Sequence, residues 1–286
     1  FIVGMRKLFV YCLFLLVFLV SCHNGKTRTA NNDVVIAIPD SIEQRADSLL
    51  LITEVYPIND ELPIMADELF DEFIFEFSRL KKVQLERTQF PFLITNASDS
   101  TWISKEQWKH EPLFLNEDFY VVFFENEKDM ELEKRTDLNE VNVECILLDS
   151  LQLLSYHFER NAGKWYLTKE HRQTLEKSPL GEFLVFYNRF ASDDAFQNRS
   201  IAKPLHYITT DVENGNELVK GTLDNEQWQM FKPQLPIGML TSIHYGQTFN
   251  KPRKITMVKR GIANGLMEIL TFKKSRGKWK LTSFEN

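Results

Sequence analysis

Two hexamers, GKWYLT (Gly163 to Thr168) and GKWKLT (Gly277 to Thr282), differ at one position and stand 114 residues apart. A repeat of this kind constrains the fold more than composition does, because two copies of a pattern call for two copies of one local structure. Two further pairs occur in the same order. DEFIFEFSRL (Asp71 to Leu80) and GEFLVFYNRF (Gly181 to Phe190) share Glu72/Glu182, Phe73/Phe183 and Arg79/Arg189 at an offset of 110. KEQW (Lys105 to Trp108) and NEQW (Asn225 to Trp228) match at 120, which places an insertion in the second copy around Asp211 to Gly221.

The first pair reads as helix. Phe70, Phe73, Ile74, Phe77 and Leu80, and likewise Leu180, Phe183, Leu184, Tyr187 and Phe190, recur at helical spacing and make one apolar face. Ser104 and Asp224 stand three residues before a glutamine, the layout of a capping box opening a short helix. Around the hexamers the period changes to two: Leu154, Tyr156 and Phe158 alternate with Leu153, Ser155 and His157, and Trp165 shares a face with Leu167. Each hexamer closes a hairpin in which Gly163 or Gly277 takes the positive φ of the turn. FYVVFF (Phe119 to Phe124), VNVECIL (Val141 to Leu147), LTSIHY (Leu240 to Tyr245) and KITMVKR (Lys254 to Arg260) also read as strands. Each copy is therefore helix, short helical pieces, then four antiparallel strands. The tryptophans are assigned to the core rather than to a sugar-binding platform, so truncating Trp165 should cost about 3 to 5 kcal/mol.

The front of the chain carries an address. Arg6 and Lys7 precede an uncharged apolar run, Leu8 to Val20, too short for a transmembrane span, and then LVSC (Leu19 to Cys22). That box resembles the lipobox of bacterial lipoproteins, which implies diacylglycerol on Cys22, removal of residues 1–22 and anchoring in the cell envelope; residues before Met5 read as an upstream extension. The absence of an aspartate at His23 points to the outer membrane. Residues 23–62 form tether and linker, with a short helix over Ser41 to Glu54. Processing leaves Cys145 as the remaining thiol, a small buried apolar residue rather than a nucleophile. Loss of Arg6 and Lys7 moves the formal charge from −6 to −8, which argues against nucleic acid as a partner.

An amphipathic helix, short helices and a curved antiparallel sheet ending in a tryptophan hairpin resemble the nuclear-transport-factor-2-like superfamily of α+β cones. Two such units behind a lipobox resemble a family of bacterial lipoproteins known as a domain of unknown function. The resemblance covers Ala66 to the C-terminus and implies two tandem cones, residues 63–174 and 175–286, each with a pocket between helix and sheet.

The chemistry is sparse. Paired cysteines, HExxH, a calcium loop, a nucleophile elbow, a phosphate-cradling glycine loop and a dinucleotide fingerprint are missing from the sequence. The expectation is no catalytic residue, no metal and no cofactor. Tyr156 with His157 and His244 with Tyr245 are the candidate pocket residues; His206 with Tyr207 is a further pair of the same kind. The reading is a lipid-anchored protein that binds a small molecule, a glycan or an envelope protein; the alternative is an acid/base enzyme using one His-Tyr pair. Charge adds a last expectation. Lys251 to Lys280 holds ten basic residues and one acid, Glu268, whereas Glu111 to Asp149 holds twelve acids against Lys128, Lys134 and Arg135. These two regions are expected to face one another or, for the basic one, an anionic polymer.

Overall fold

The computed structural model describes residues 67–286 apart from 115–117, 212–214 and 216; the predicted signal with Cys22, the predicted tether and the helix predicted over Ser41 to Glu54 lie outside these residues. Helices α1 (Phe70–Arg79) and α2 (Lys81–Arg87) lead into strands β1 (Thr88–Thr95) and β2 (Ser100–Ile103). Strands β3 (Phe119–Phe124), β4 (Glu140–Leu147), β5 (Gln152–Asn161) and β6 (Lys164–Thr174) complete the first half. The second half repeats the order with α3 (Gly181–Ser192), α4 (Asp194–Arg199), β7 (Ile201–Asp211), β8 (Glu217–Leu223), α5 (Asn225–Phe231), β9 (Met239–His244), β10 (Lys254–Gly261), β11 (Met267–Ser275) and β12 (Lys278–Glu285). No helix among the described residues is long and apolar enough to cross a membrane.

Both predicted amphipathic helices form, and their apolar faces are buried: Phe70, Phe73, Ile74 and Phe77 on α1, and Phe183, Leu184, Tyr187 and Phe190 on α3. The hexamer hairpins turn through Ala162-Gly163 and Arg276-Gly277, all four at positive φ, as a two-residue turn matched to strand twist requires. The expected caps also form: the Ser104 main-chain N–H donates to Gln107 Oε1 (3.1 Å), and that of Asp224 to Gln227 Oε1 (3.0 Å). The two EQW tryptophans share a device that the sequence reading missed. Trp108 Nε1 donates to Gln84 (3.2 Å) and Trp228 Nε1 to Gln197 (2.9 Å), and both glutamines are fully buried.

Each half has six strands rather than four. The unpredicted ones are β1, β2, β7 and β8; of these β1 and β7 carry Pro91 and Pro204, which remove a ladder donor and argue against a strand. The pairing absorbs them through register shifts, between Thr88 and Leu93 in β1 against β6, and between Leu281 and Ser283 in β12 against β7. The second-copy insertion lies in the longer β7–β8 hairpin.

The sequence predicts cones that divide between residues 174 and 175, each closing its own interior. The sheet is instead continuous across that boundary, with twelve strands in the order β2-β1-β6-β5-β4-β9-β3-β10-β11-β12-β7-β8. The third strands are exchanged. β3 runs antiparallel to β10, β9 runs antiparallel to β4, and the two meet in a short parallel seam at Val121 and Ser242. The reason is in FYVVFF: five of its six residues are buried, so both faces need cover. Tyr120, Val122 and Phe124 enter a core built on α1, while Val121 and Phe123 enter one built on α3. The two helices therefore lie on opposite faces of β3, and each core draws side chains from both halves.

The acidic and basic segments meet at this exchange. Arg260 of β10 pairs with Glu133 from the β3–β4 connection. Lys259, buried beside it, pairs with Glu268 (2.9 Å) and donates to Gln234 O (3.1 Å). Most of the other cations of the basic segment remain exposed.

Because the sheet is continuous, Phe123→Ala should lower stability by about 3 to 5 kcal/mol while urea unfolding stays a single transition, coincident by tryptophan fluorescence and circular dichroism. Two separated transitions would mean that the halves unfold independently.

Candidate functional site: a cleft beside the second core

Side chains of adjacent strand residues point to opposite faces, and this separates each predicted His-Tyr pair. Tyr156 and Tyr245 enter the first core, whereas His157 and His244 lie on the other face in one cross-strand row, with Asn142 of β4 between them. His157 Nδ1 lies 2.8 Å from Asn142 Oδ1, and its Nε2 lies 3.1 Å from the half-exposed carboxylate of Glu159. Burial lowers the His244 pKa, which favours the neutral ring. His206 is exposed on β7. Cys145 is half-buried against the first core.

The tyrosines instead find carboxylates. Tyr245 Oη donates to Asp71 Oδ1 (2.5 Å) and Tyr120 Oη to Asp71 Oδ2 (3.1 Å), at the first turn of α1. Burial raises the Asp71 carboxyl above its ordinary value, against the lowering effect of these two hydroxyls and of Arg260. A second cluster joins Tyr156 to Glu111, near Glu170, which Arg172 pairs at 2.5 Å. Burial raises the Glu111 carboxyl as well. Sequence reasoning had no signal for either group, since Asp71 and Tyr245 are 174 residues apart. Their surroundings are filled by rings: Phe70 packs edge-on to Phe158 and Trp165 at 5.3 and 5.0 Å. The Asp71 cluster has no counterpart in the second half, where the equivalent residue is Gly181 and a Cβ would meet Leu175 O at 2.0 Å. Among the described residues no group of three or more His, Cys, Asp or Glu is placed to hold a metal ion.

Two residues along β4 from Asn142 and on the same face, the half-buried Glu144, flanked by Ser155 and Ser242, is pushed up to about 7 by desolvation. A carboxyl whose folded pKa lies above its unfolded value binds more protons when folded, so stability falls as pH rises between about 4.5 and 7. Glu144→Gln should flatten that decline in urea titrations across the window; an unchanged slope would assign it to other groups.

Open space lies elsewhere. A cleft of about 670 Å³ is bounded by the start of α3, the β9–β10 connection and the β11–β12 hairpin, within the range of small-molecule sites. Phe183, Phe249 and Trp279 supply aromatic surface, and Lys251, Arg253, Lys274, Glu176 and Glu182 supply charge. Lys274 pairs with Glu182. Trp279 packs against Phe183 at 5.2 Å, and its indole N–H is buried without an acceptor.

In the first half a buried ion pair plugs the space beside the matching hairpin, that of Trp165. Asp67 accepts from Arg87 Nη1 and Nη2, each at 2.9 Å, and from the Trp165 main-chain N–H at 3.1 Å. Arg87 Nη1 also reaches Trp165 O (3.3 Å). The offset of 110 puts Lys177 at the place of Asp67. Pairing of Thr88 with Leu167 and of Ile201 with Leu281 puts Ser200 at the place of Arg87. Both partners of the plug are thus absent from the second half.

Residues 52–286 match the family described as a domain of unknown function, DUF4348; the chain belongs to that family. Its fold is nuclear-transport-factor-2-like. The chain is similar to the crystal structure of a nuclear-transport-factor-2-like protein from Bacteroides fragilis NCTC 9343, at 36% identity and a TM-score of 0.74, over 79% of this chain and 98% of that one. No curated protein matches the chain.

Proposed function

We propose that this protein is a lipid-anchored component of the cell envelope, held at the outer membrane by acylated Cys22, that binds a small molecule in the cleft of its second half without catalysing a reaction. The observation that carries the binding site is the contrast between the halves. Ring packing and the Asp67–Arg87 plug close the first, whereas the second keeps an aromatic-walled cleft with an unused indole donor. A binding role is favoured over acid/base chemistry because each candidate histidine faces away from its neighbouring tyrosine, and His157 contacts an amide and a half-exposed carboxylate rather than a closed pocket. In this reading the chain is a tandem of two cone units that arose by duplication and then traded their third strands.

Anchoring and binding are tested separately. Cys22→Ala should abolish incorporation of labelled palmitate and release the protein from the membrane fraction; continued labelling would place the lipid elsewhere. For binding, the full-length protein is labelled with 5-fluorotryptophan, and the Trp279 fluorine resonance is assigned by its loss in Trp279→Phe. Screened against a library of charged and neutral fragments, that resonance should shift saturably for at least one member while the Trp165 resonance holds. A library that moves neither resonance would remove the cleft as a binding site.

A further inference from the structure

We propose that the ligand of this cleft carries a carboxylate, which takes in the second half the place that the Asp67 side chain holds in the first. This rests on the cleft being a ligand site and adds the chemical class of what enters it. The two halves share an order of elements, and beside the Trp165 hairpin of the first a planar carboxylate receives two guanidinium N–H groups and one main-chain N–H; the matching Trp279 hairpin lines the cleft. The second half has a cation, Lys177, where the first has Asp67, and the lining carboxylates, Glu176 and Glu182, stand at other positions.

Positive charge comes instead from other walls. Lys251 and Arg253 are exposed on the β9–β10 connection and make no ion pair among the described residues. The lining holds three cations against two acids; Lys274 neutralises Glu182, which leaves two cations facing the exposed Glu176. Lys273, Arg276 and Lys278 extend the positive field along the adjoining hairpin. This is an excess of cations in a chain whose formal charge is −6. A guanidinium that presents parallel N–H donors suits a carboxylate. The aromatic surface of Phe183, Phe249 and Trp279 suits an apolar body behind it, and the Trp279 indole N–H is buried without an acceptor. Trp165 also has an unbonded indole N–H, but its side of the fold is already closed by Asp67.

The probes are 4-phenylbutyrate and its uncharged isostere 4-phenylbutyramide, titrated into the fluorotryptophan-labelled full-length protein with the Trp279 resonance as readout. The acid should bind at least about tenfold more tightly than the amide, a preference lost at high salt because the cations are exposed. Lys251→Gln with Arg253→Gln, both surface changes, should bring the acid to the level of the amide. Lys177→Asp with Ser200→Arg, which rebuilds the plug of the first half, should block both probes. Equal binding of acid and amide, or an acid affinity unchanged by the double glutamine variant, would overturn the carboxylate assignment while leaving the binding site in place. The assignment is equally lost if only uncharged fragments move Trp279. If no compound moves it, the binding reading itself fails. Should the plug variant not fold, the glutamine pair alone decides between these outcomes.

Discussion

The structure depends on one strand that cannot tolerate a wet face. β3 presents aromatic or branched apolar side chains on both sides, and leaving such a residue exposed costs about 1.5 to 3 kcal/mol. A cone with one helix-covered face and one solvated face would waste half of this strand. Placed at the middle of a shared sheet, β3 has α1 over one side and α3 over the other, and β10 beside it is buried on both faces for the same reason. Burying the ion pair of Lys259 and Glu268 next to this seam is expensive unless the partners are aligned, so it favours this register over neighbouring ones.

The two halves repeat one order of elements and differ in how they use it. The tryptophan hairpins, the Gln–Trp hydrogen bonds and the capped EQW turns are retained in both, and all of them serve packing. What differs is polar. The first half spends its carboxylates internally, Asp67 on Arg87 and Asp71 on two tyrosines, and its interior is closed. The second has Lys177 and Gly181 at those two positions and keeps an opening edged with cations. Differences at a few polar positions therefore separate the plugged half from the one that keeps a cleft.

Much of this was legible in order but not in space. The helical spacing of Phe70, Phe73, Ile74 and Phe77 named a buried face, and the glycines of the hexamers named the turns, because both signals are local. The alternation around His157 also contained its own correction: a period of two forbids Tyr156 and His157 from lining the same pocket, and the structure separates them accordingly. Pro91 and Pro204 concealed β1 and β7, since a bulge that absorbs a proline leaves no trace in hydropathy.

By itself the sequence determined the repeat, the faces of its helices, its hairpins and the need for β3 to be covered twice, all of which follow from spacing along the chain. Only the tertiary structure decided which strand covers which core, that the halves share one sheet, and that one opening is plugged while the other stays free. Those outcomes rest on contacts between residues such as Asp67 and Trp165, or Val121 and Ser242, that lie about a hundred positions apart. Periodicity records that a side chain is buried; the chain's path through space selects what buries it.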